Sequence, residues 1–513
     1  MNDRRIPAAL VPRQSGLLLS DWLEHHGQPL NTRCGGRGLC RGCLVQLSTP
    51  AAPAPPAQRA CQTDCATLPA DLDCIQIAAT SIRDASLHGV TTFELRHAGP
   101  TPAPRPGVGL ALDIGTTTVA GALWDFPTGR LLADASRPNA QRRHGDDVVT
   151  RITFAVTRPD GLDRLRHALV HDTLAPLIDQ LLARAALPVA AITQATAAGN
   201  PAMLHTLAGA SLAGLATFPF RPVFLGGRTV PPAEHRLALA CPVELIPGLG
   251  PFVGSDITAG ALATGLLADD GPALLIDFGT NGEILLKHAG GYLATATAAG
   301  PAFEGGRLSC GAAAGPGVVS TLRRENNRWQ PRLVPGSTGP AAGLSGAAYV
   351  DLLALGRREG WLNSFGRLDP RHAAVIRGPD HALRIQLSDT LFVTEPDIAE
   401  LMQAKAAIAA GALTLLDLAG LRPADLRALH VAGGFGFHLD PDHALAIGLF
   451  PSVPRDSIRL AGNSSLGGAS LLLHRENAPD LADLLDRTTV VELNQAPTFA
   501  DNFTDCLSLY PFA

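Results

Sequence analysis

LALDIGTTTVAGAL, at residues 110–123, joins an apolar strand, a polar turn and a second strand of small and β-branched residues. Because Gly115 lacks a Cβ, the backbone of the turn can approach an anion, and the hydroxyls of Thr116 and Thr117 can donate to phosphate oxygens. Asp113 ends the first strand, where its carboxylate can hold a hydrated Mg²⁺ ion. The stretch therefore predicts a phosphate-binding hairpin; an ordinary hairpin with a polar tip is the alternative.

The pattern recurs at residues 273–286, which read ALLIDFGTNGEILL. Its turn places Asp277, Gly279, Thr280 and Asn281 where the first hairpin has its aspartate, glycine and threonines. One motif can arise by chance, but two copies in one chain indicate an internal duplication. We therefore expect two related halves, each with a phosphate-binding turn.

A glycine turn is the candidate site for the base of a nucleotide. Residues 429–437, LHVAGGFGF, are predicted to form a buried strand that runs into Gly433 and Gly434, where a flat base can lie against bare backbone. Lys405 lies on a predicted helix ahead of this turn and is a candidate for a ribose or phosphate contact. A solvated lysine is the alternative.

Further polar groups are expected around the same site. Glu304, in the glycine-rich segment 298–306, can orient water or Mg²⁺, or simply cap its turn. Ser255 or Asp256 begins a predicted helix, either as a cap or as part of an anion site. The turn at residues 199–201, Gly-Asn-Pro, is expected to face the cleft between the two halves.

These elements occur in the order phosphate hairpin, second phosphate hairpin, glycine turn. That order resembles the actin, sugar-kinase and heat-shock-chaperone superfamily of ATPases, over roughly residues 108–513. The resemblance implies a duplicated two-lobe α/β domain that binds Mg-ATP between lobe I, residues 108–260, and lobe II, residues 261–513. We expect Asp113, Asp277 and Glu304 to be the catalytic carboxylates.

Length and composition indicate a multidomain globular protein. At 513 residues the chain is too long for one core, so two to four domains are expected. Hydrophobic residues make up 46%, charged residues 17%, and the net charge is −5, which argues against a nucleic-acid partner. No uninterrupted apolar run of about 18 residues occurs, and the first residues lack the apolar core of a secretion signal. We therefore expect a cytoplasmic protein with no membrane partner.

Six of the nine cysteines lie within the first 74 residues, a clustering typical of metal sites rather than disulfides in a cytoplasmic chain. Cys34, Cys40 and Cys43 have C-x5-C-x2-C spacing in a glycine-rich loop whose amides can face inorganic sulfides. Cys61 can return as the fourth thiolate, with Cys65 as its competitor. The spacing resembles the adrenodoxin-like variant of the plant-type ferredoxins, which predicts a [2Fe–2S] cluster; a structural Cys₄ zinc site is the alternative.

The cysteine-rich segment is expected to be a separate domain. Residues 1–97 are predicted to form an α+β ferredoxin-like domain with the β-grasp fold. Residues 98–107 contain four prolines, too many for a helix or a central strand, and are predicted to be a semi-rigid linker. The sequence therefore predicts an electron-carrying domain tethered to an ATPase.

This pairing resembles the reductive activators of corrinoid-dependent enzymes, over nearly the whole chain. GNPAMLH at residues 199–205, GPAFEG at 300–305 and VAGGFG at 431–436 strengthen the resemblance. It implies that ATP hydrolysis drives one electron from the cluster to the Co(II) form of a corrinoid protein, which regenerates Co(I). It also implies an upstream electron donor, such as a ferredoxin or a flavin reductase, and leaves a homodimer open. Longer relatives carry an extra segment where this chain has only the short linker.

Three other functions are alternatives. A small-molecule kinase of the same superfamily would need a sugar or acid pocket and would have no use for a cluster. An activase for radical dehydratases is also driven by ATP, but it bridges a [4Fe–4S] cluster between two subunits, which does not fit four thiols in one N-terminal segment. A redox-sensing nucleotide-binding module would dock a partner without turnover.

Overall fold

The computed structural model describes most of the chain. The described residues are 4–26, 28, 30, 43–53, 55–77, 105–279, 281–312, 315, 317–334, 337, 340–378, 381–434, 439–474 and 479–512. Three predicted site residues, Cys34, Cys40 and Thr280, lie outside them, as do residues 98–104 of the predicted linker. The chain divides into two compact units, one built from residues 1–86, 138–174 and 205–223, and the other from residues 87–137, 175–204 and 224–513.

The N-terminal part of the first unit is a small sheet with one helix packed on it. Its elements are β1 (Arg4–Pro7), α1 (Leu19–His25), β2 (Leu44–Ser48), β3 (Gln58–Arg59) and β4 (Cys74–Ile77). The strands run in the order β1-β4-β2-β3, and every pair is antiparallel. Leu19 and Leu23 of α1 share a core with Ile75 and Ile77 of β4. This is the α+β arrangement that the sequence predicts; its identity as a ferredoxin-like β-grasp domain stays a prediction.

Residues 105–264 supply the first half of an α/β domain. Its strands are β5 (Val108–Ile114), β6 (Thr118–Asp125), β7 (Arg130–Pro138), β8 (Ile192–Gly199), β9 (Arg228–Val230) and β10 (Val243–Leu245). Its helices are α2 (Val148–Thr157), α3 (Gly161–Leu169), α4 (Ala175–Ala185), α5 (Pro201–Ala208), α6 (Ala213–Ala216), α7 (Pro232–His235) and α8 (Ser255–Thr264). Helices α2, α3 and α6 belong to the first unit.

Residues 273–512 supply the second half. Its strands are β11 (Ala273–Phe278), β12 (Gly282–His288), β13 (Gly291–Thr297), β14 (Val318–Glu325), β15 (Arg328–Leu333), β16 (Gly343–Leu344), β17 (Val375–Arg377), β18 (Leu383–Gln386), β19 (Phe392–Thr394), β20 (Ala428–Ala432), β21 (Ile458–Gly462) and β22 (Thr488–Val490). Its helices are α9 (Gly346–Glu359), α10 (Glu395–Ala419), α11 (Pro441–Ala446), α12 (Ser464–Leu473), α13 (Pro479–Arg487) and α14 (Phe499–Cys506).

Five strands of each six-stranded sheet share one topology, and the sixth strands, β9 and β22, lie at opposite edges. The first sheet has the order β7-β6-β5-β8-β10-β9 and the second the order β21-β20-β11-β12-β13-β22. In each half an antiparallel hairpin opens the sheet, a third strand extends it on one side, and parallel strands are added on the other side of the first strand. This repeat is the duplication that the two hairpin motifs predict.

Helices α8 and α12, which follow equivalent strands of the two halves, pack against each other in the second unit. Their approach is close because Gly468 has no side chain: a Cβ there would lie 2.0 Å from the carbonyl oxygen of Ala259. Helix α12 also packs on the first sheet, where the Thr196 hydroxyl donates to the Ala469 carbonyl at 2.8 Å. Helix α12, from the second half of the sequence, thus completes the first half of the domain. The lobe boundary predicted at residue 260 falls within α8.

Helix α10 runs through the core of the second half. By length and composition alone it could cross a membrane, but 78% of its most apolar window is buried inside the protein, as in a core helix. No other described helix is long and apolar enough to pass that test.

Candidate nucleotide-binding site

The turns of both hairpins open into one cavity of about 180 Å³ in the second unit. The predicted site residues that line it are Asp113, Gly115, Thr116, Thr117, Asp277, Gly279, Asn281, Glu304, Gly433 and Gly434. The structure therefore brings together the two hairpins, the glycine turn and the predicted third carboxylate, although they are far apart in the sequence.

The first hairpin presents threonine hydroxyls to the cavity on a tight turn. A Cβ at Gly115 would lie 2.4 Å from the Thr118 carbonyl oxygen, so only glycine fits at this point. The Thr116 hydroxyl accepts a hydrogen bond from the Asn200 amide at 2.9 Å. The turn at residues 199–201 therefore faces the site, as its sequence predicts.

Asp113 is held by donors that come from the second half of the domain. The Asn463 amide donates to its Oδ2 at 2.9 Å, and the Ser465 hydroxyl donates to its Oδ1 at 2.8 Å. Burial raises the pKa of the Asp113 carboxyl, and these two hydrogen bonds oppose the rise. A second link between the halves joins the Thr117 hydroxyl to Glu304 Oε2 at 3.0 Å.

Three more carboxylates line the same cavity: Asp277 and Glu283, which are buried, and Asp256, which is partly buried. Asp277 and Glu283 occupy directly opposite positions on β11 and β12. Burial first, and then the charges of Asp256 and Asp113, raise the pKa of Asp277 well above its usual range. Burial also raises the pKa of Asp256 to about 6. Because no lysine or arginine is among the described lining residues, this crowding favours the binding of a cation.

The glycine turn follows β20 and lies beside the second hairpin. Gly433 has a φ of +93°, and a Cβ there would lie 2.3 Å from the Phe278 carbonyl oxygen and 3.0 Å from the Asp277 carboxylate. Its N–H donates to the Gly462 carbonyl at 2.9 Å. Bare backbone is therefore required here, and it leaves a face against which a flat base can lie.

Lys405 does not line the cavity, so the prediction that it contacts the nucleotide is wrong. Its side chain is fully buried, and its ammonium donates to the carbonyls of Cys506 at 2.9 Å and Ser508 at 2.6 Å. Burial lowers the pKa of Lys405 to about 8. The ammonium instead satisfies backbone carbonyls at the C-terminal end of α14, where a positive charge is favourable.

Sequence reasoning missed several polar side chains of the cavity wall. The sequence suggests Asp256 as a cap or as part of an anion site. It is not the N-cap of α8, which is Gly254, but its Oδ1 accepts a hydrogen bond from the Ile257 N–H at 3.0 Å, and its carboxylate lines the cavity. The signal for Glu283 is its place just after the second turn, directly before three apolar residues of β12. Asn463 and Ser465 carry no local signal of a site, because only the tertiary fold brings them to Asp113.

Two of the predicted cluster ligands come together in the first unit. The Ala60 N–H donates to the Cys43 carbonyl at 3.0 Å, which brings the chain at Cys61 next to Cys43, and both cysteines are buried. Cys65 is anchored elsewhere, because its N–H donates to the Leu17 carbonyl ahead of α1. The backbone therefore places Cys61, rather than Cys65, next to Cys43, and the choice of Cys61 as the fourth ligand stays a prediction.

The duplicated sheets, the paired phosphate turns and the glycine turn define an ATPase fold of the actin-like class. The chain matches the models of two regions of the protein RACo: the middle region over residues 108–269, and the C-terminal domain, described as the ASKHA domain, over residues 271–511. It therefore belongs to the RACo family, as its similarity to individual relatives also shows.

Two relatives and one solved structure carry that assignment further. The chain is 31% identical over 425 residues to the corrinoid activation enzyme RamQ of Eubacterium limosum, covering 78% of this chain and 70% of RamQ. It is 24% identical over 432 residues to a Co(II) methylated amine-specific corrinoid protein reductase of Methanosarcina barkeri, covering 78% and 76% of the two chains. The structure of a reductive activator for corrinoid, iron-sulfur protein aligns with 97% of this chain and 96% of that chain, at a TM-score of 0.74 and 27% identity.

Proposed function

We propose that this protein is an ATP-dependent reductive activator that returns the Co(II) form of a corrinoid protein to Co(I). The observation that carries the proposal is the cavity in which both phosphate turns and the glycine turn meet, in a chain whose relatives activate or reduce corrinoid proteins. Reduction of Co(II) in a corrinoid is uphill from ordinary donors, so an ATPase joined to an electron carrier is suited to the task.

ATP binds, in this proposal, with its phosphates between the two turns. Gly115, Thr116 and Thr117 donate from the first half, and Gly279, Thr280 and Asn281 donate from the second. The base lies against Gly433 and Gly434. Asp113 and Glu304 orient the attacking water, because both carboxylates lie beside the first phosphate turn and are held there by hydrogen bonds.

Asp256, Asp277 and Glu283 are the groups that would hold Mg²⁺. When bound, the ion supplies the positive charge that offsets both the phosphates and the cavity carboxylates. Among the described residues, the one group of three ligand atoms within 4.8 Å of one another is Asp351, Asp440 and His443, outside the cavity. The cavity carboxylates do not converge that closely, so in this proposal they would hold Mg²⁺ partly through its waters, several of which it usually keeps.

Cys34, Cys40, Cys43 and Cys61 are the groups that would hold a [2Fe–2S] cluster, which supplies one electron at a time. Residues 98–107 serve as the tether that lets this domain alternate between an external donor and the corrinoid protein. A ferredoxin or a flavin reductase is the class of donor that fits, because either delivers single electrons.

An anaerobic absorbance experiment tests the proposal. The purified protein is mixed with a chemical reductant, a Co(II)-corrinoid protein and Mg-ATP, and the Co(I) band is followed with time. We expect the band to need ATP and to be lost in Asp277→Ala. Co(I) formation at the same rate without ATP would overturn the proposed function.

Matched cysteine variants test the electron path in the same assay. Cys61→Ser should lose iron, sulfide and Co(I) formation while ATP binding persists, and Cys65→Ser should retain all of them. A purified protein that holds zinc in place of iron and sulfide would rule out the cluster.

A further inference from the structure

The hairpin aspartates of the two halves, Asp113 and Asp277, have different surroundings. Helices α8 and α12 follow equivalent strands, and the second residue of each lines the cavity: Asp256 on α8 and Ser465 on α12. Asp277 shares the cavity with the negative charge of Asp256 and has no side-chain hydrogen bond to a described residue. Asp113 instead receives two neutral donors. The two halves have thus diverged: the surroundings of Asp277 favour a cation, whereas those of Asp113 fix the orientation of its carboxylate.

The geometry at Asn463 leaves its amide one orientation. Its Oδ1 accepts a hydrogen bond from the Leu466 N–H at 2.9 Å and so caps α12, which turns its Nδ2 towards Asp113 Oδ2. The preceding residue, Gly462, is held by the N–H of Gly433. The backbone that carries Asn463 is therefore fixed on both sides, by the glycine turn before it and by the helix after it.

Ser465 fixes the other oxygen of the same carboxylate. Its side chain is 4% exposed, and its hydroxyl lies 2.8 Å from Asp113 Oδ1. With one donor on each oxygen, rotation of the Asp113 carboxylate about its Cβ–Cγ bond would break both hydrogen bonds. Each oxygen still has a lone pair for a water molecule in the cavity.

We propose that Asn463 and Ser465 are positioning residues for ATP hydrolysis: they lock the plane of the Asp113 carboxylate so that it can orient the attacking water. The inference rests on the proposed ATPase function. In the proposed function the two hairpin turns hold the phosphates and the glycine turn holds the base, so the loss of either side chain should lower kcat much more than nucleotide affinity. A misplacement of about 1 Å in such a group can cost roughly 10²-fold in rate.

Neighbouring serines provide a matched test. Ser465→Ala should lower kcat by roughly 10- to 100-fold, while the affinity for a fluorescent non-hydrolysable ATP analogue changes less than about 3-fold. Ser464→Ala is the control, because Ser464 lies on the same turn of α12 but does not line the cavity, and its hydroxyl has no hydrogen-bond partner among the described residues. It should keep wild-type kcat.

Variants at Asn463 separate positioning from helix capping. Asn463→Ser keeps a capping oxygen but loses the amide that donates to Asp113, so kcat should fall while the melting temperature stays near wild type. Asn463→Ala loses both contacts and should lower kcat and the melting temperature together.

A double-variant cycle decides whether the effect passes through Asp113. In an Asp113→Asn background, with its residual ATPase rate measured, Ser465→Ala should have almost no further effect, because the group that it positions has been changed. A full and independent loss in that background, or a Ser465→Ala protein with wild-type kcat, would overturn the inference alone. A wild-type protein that binds no nucleotide would overturn the proposed function as well.

Discussion

The ionisation of Asp256 should make the stability of the protein depend on pH. The pKa of its carboxyl is raised to about 6 from an ordinary 3.8, chiefly by burial. A raised pKa in the folded state means that folding favours the protonated form. The ionisation of this residue therefore costs stability as the pH rises through 4 to 6, and the full cost is present at pH 8.

Asp256→Asn should consequently stabilise the nucleotide-free protein at high pH. We expect a gain on the order of 3 kcal/mol in the free energy of unfolding at pH 8, and no gain near pH 4. Urea denaturation at the two pH values measures it, with the exposed Asp389→Asn as the control. A gain that is equal at both pH values would contradict the argument, because it could not come from ionisation.

Lys405 was predicted to contact the nucleotide, but the structure gives it another role. Only two lysines occur in the chain, and in the structure both donate to pairs of backbone carbonyls: Lys405 to Cys506 and Ser508, and Lys287 to Leu267 and Asp269. The place of Lys405 in the sequence, ahead of the glycine turn, did not reveal its contacts. The carbonyl groups that it binds lie 101 and 103 residues further along the chain.

Lys405→Met should therefore weaken the fold and spare the nucleotide site. The change leaves two carbonyls without their donor, and we expect a loss of about 2–4 kcal/mol in the free energy of unfolding. Binding of a fluorescent ATP analogue at a temperature where the variant is folded should be close to wild type. A selective loss of nucleotide affinity, with stability unchanged, would restore the original prediction.

At the scale of elements, the hairpins could be predicted and their partners could not. The residues 110–123 and 273–286 contain their own strands, turn and glycine, so a local pattern suffices. The contact between Asp113 and Ser465 spans 352 residues and depends on α12 packing on the sheet of the other half. No periodicity in the sequence indicates that α12 packs on the sheet of the other half, which is why the donors to Asp113 were missed.

The glycine turn offers a comparison of two glycines with similar backbone angles. Gly433 and Gly420 both have positive φ, but a Cβ at Gly433 would meet the Phe278 carbonyl at 2.3 Å, whereas one at Gly420 would meet no atom within 4 Å. Both alanine variants carry the backbone cost of about 1 kcal/mol. Only Gly433→Ala should also lose nucleotide affinity, by roughly 10-fold or more. Equal affinities in a nucleotide titration would show that the turn does not contact the base.

At the scale of the whole molecule, the question is how nucleotide binding could alter a partner protein. The cavity is walled by both halves of the duplicated domain, and the Asp113 contacts and the bond between Thr117 and Glu304 join those halves. A bound nucleotide can shift their arrangement only by contacting one arrangement better than another. The partner must distinguish the same two arrangements if ATP is to act on its cobalt.

Nucleotide and corrinoid protein should accordingly change each other's affinity by the same factor. A coupling of about 1–3 kcal/mol corresponds to a roughly 5- to 150-fold difference between the ADP and ATP-analogue forms in their affinity for the corrinoid protein. Titration of the partner at saturating nucleotide, and of nucleotide at saturating partner, must return equal factors, since binding free energies around a cycle sum to zero. Asp277→Ala, which removes a carboxylate from the wall of the nucleotide cavity, should reduce both factors towards one. If the partner binds both nucleotide forms equally, nucleotide binding cannot bias the cobalt equilibrium, and any effect of ATP would have to act on the electron donor instead.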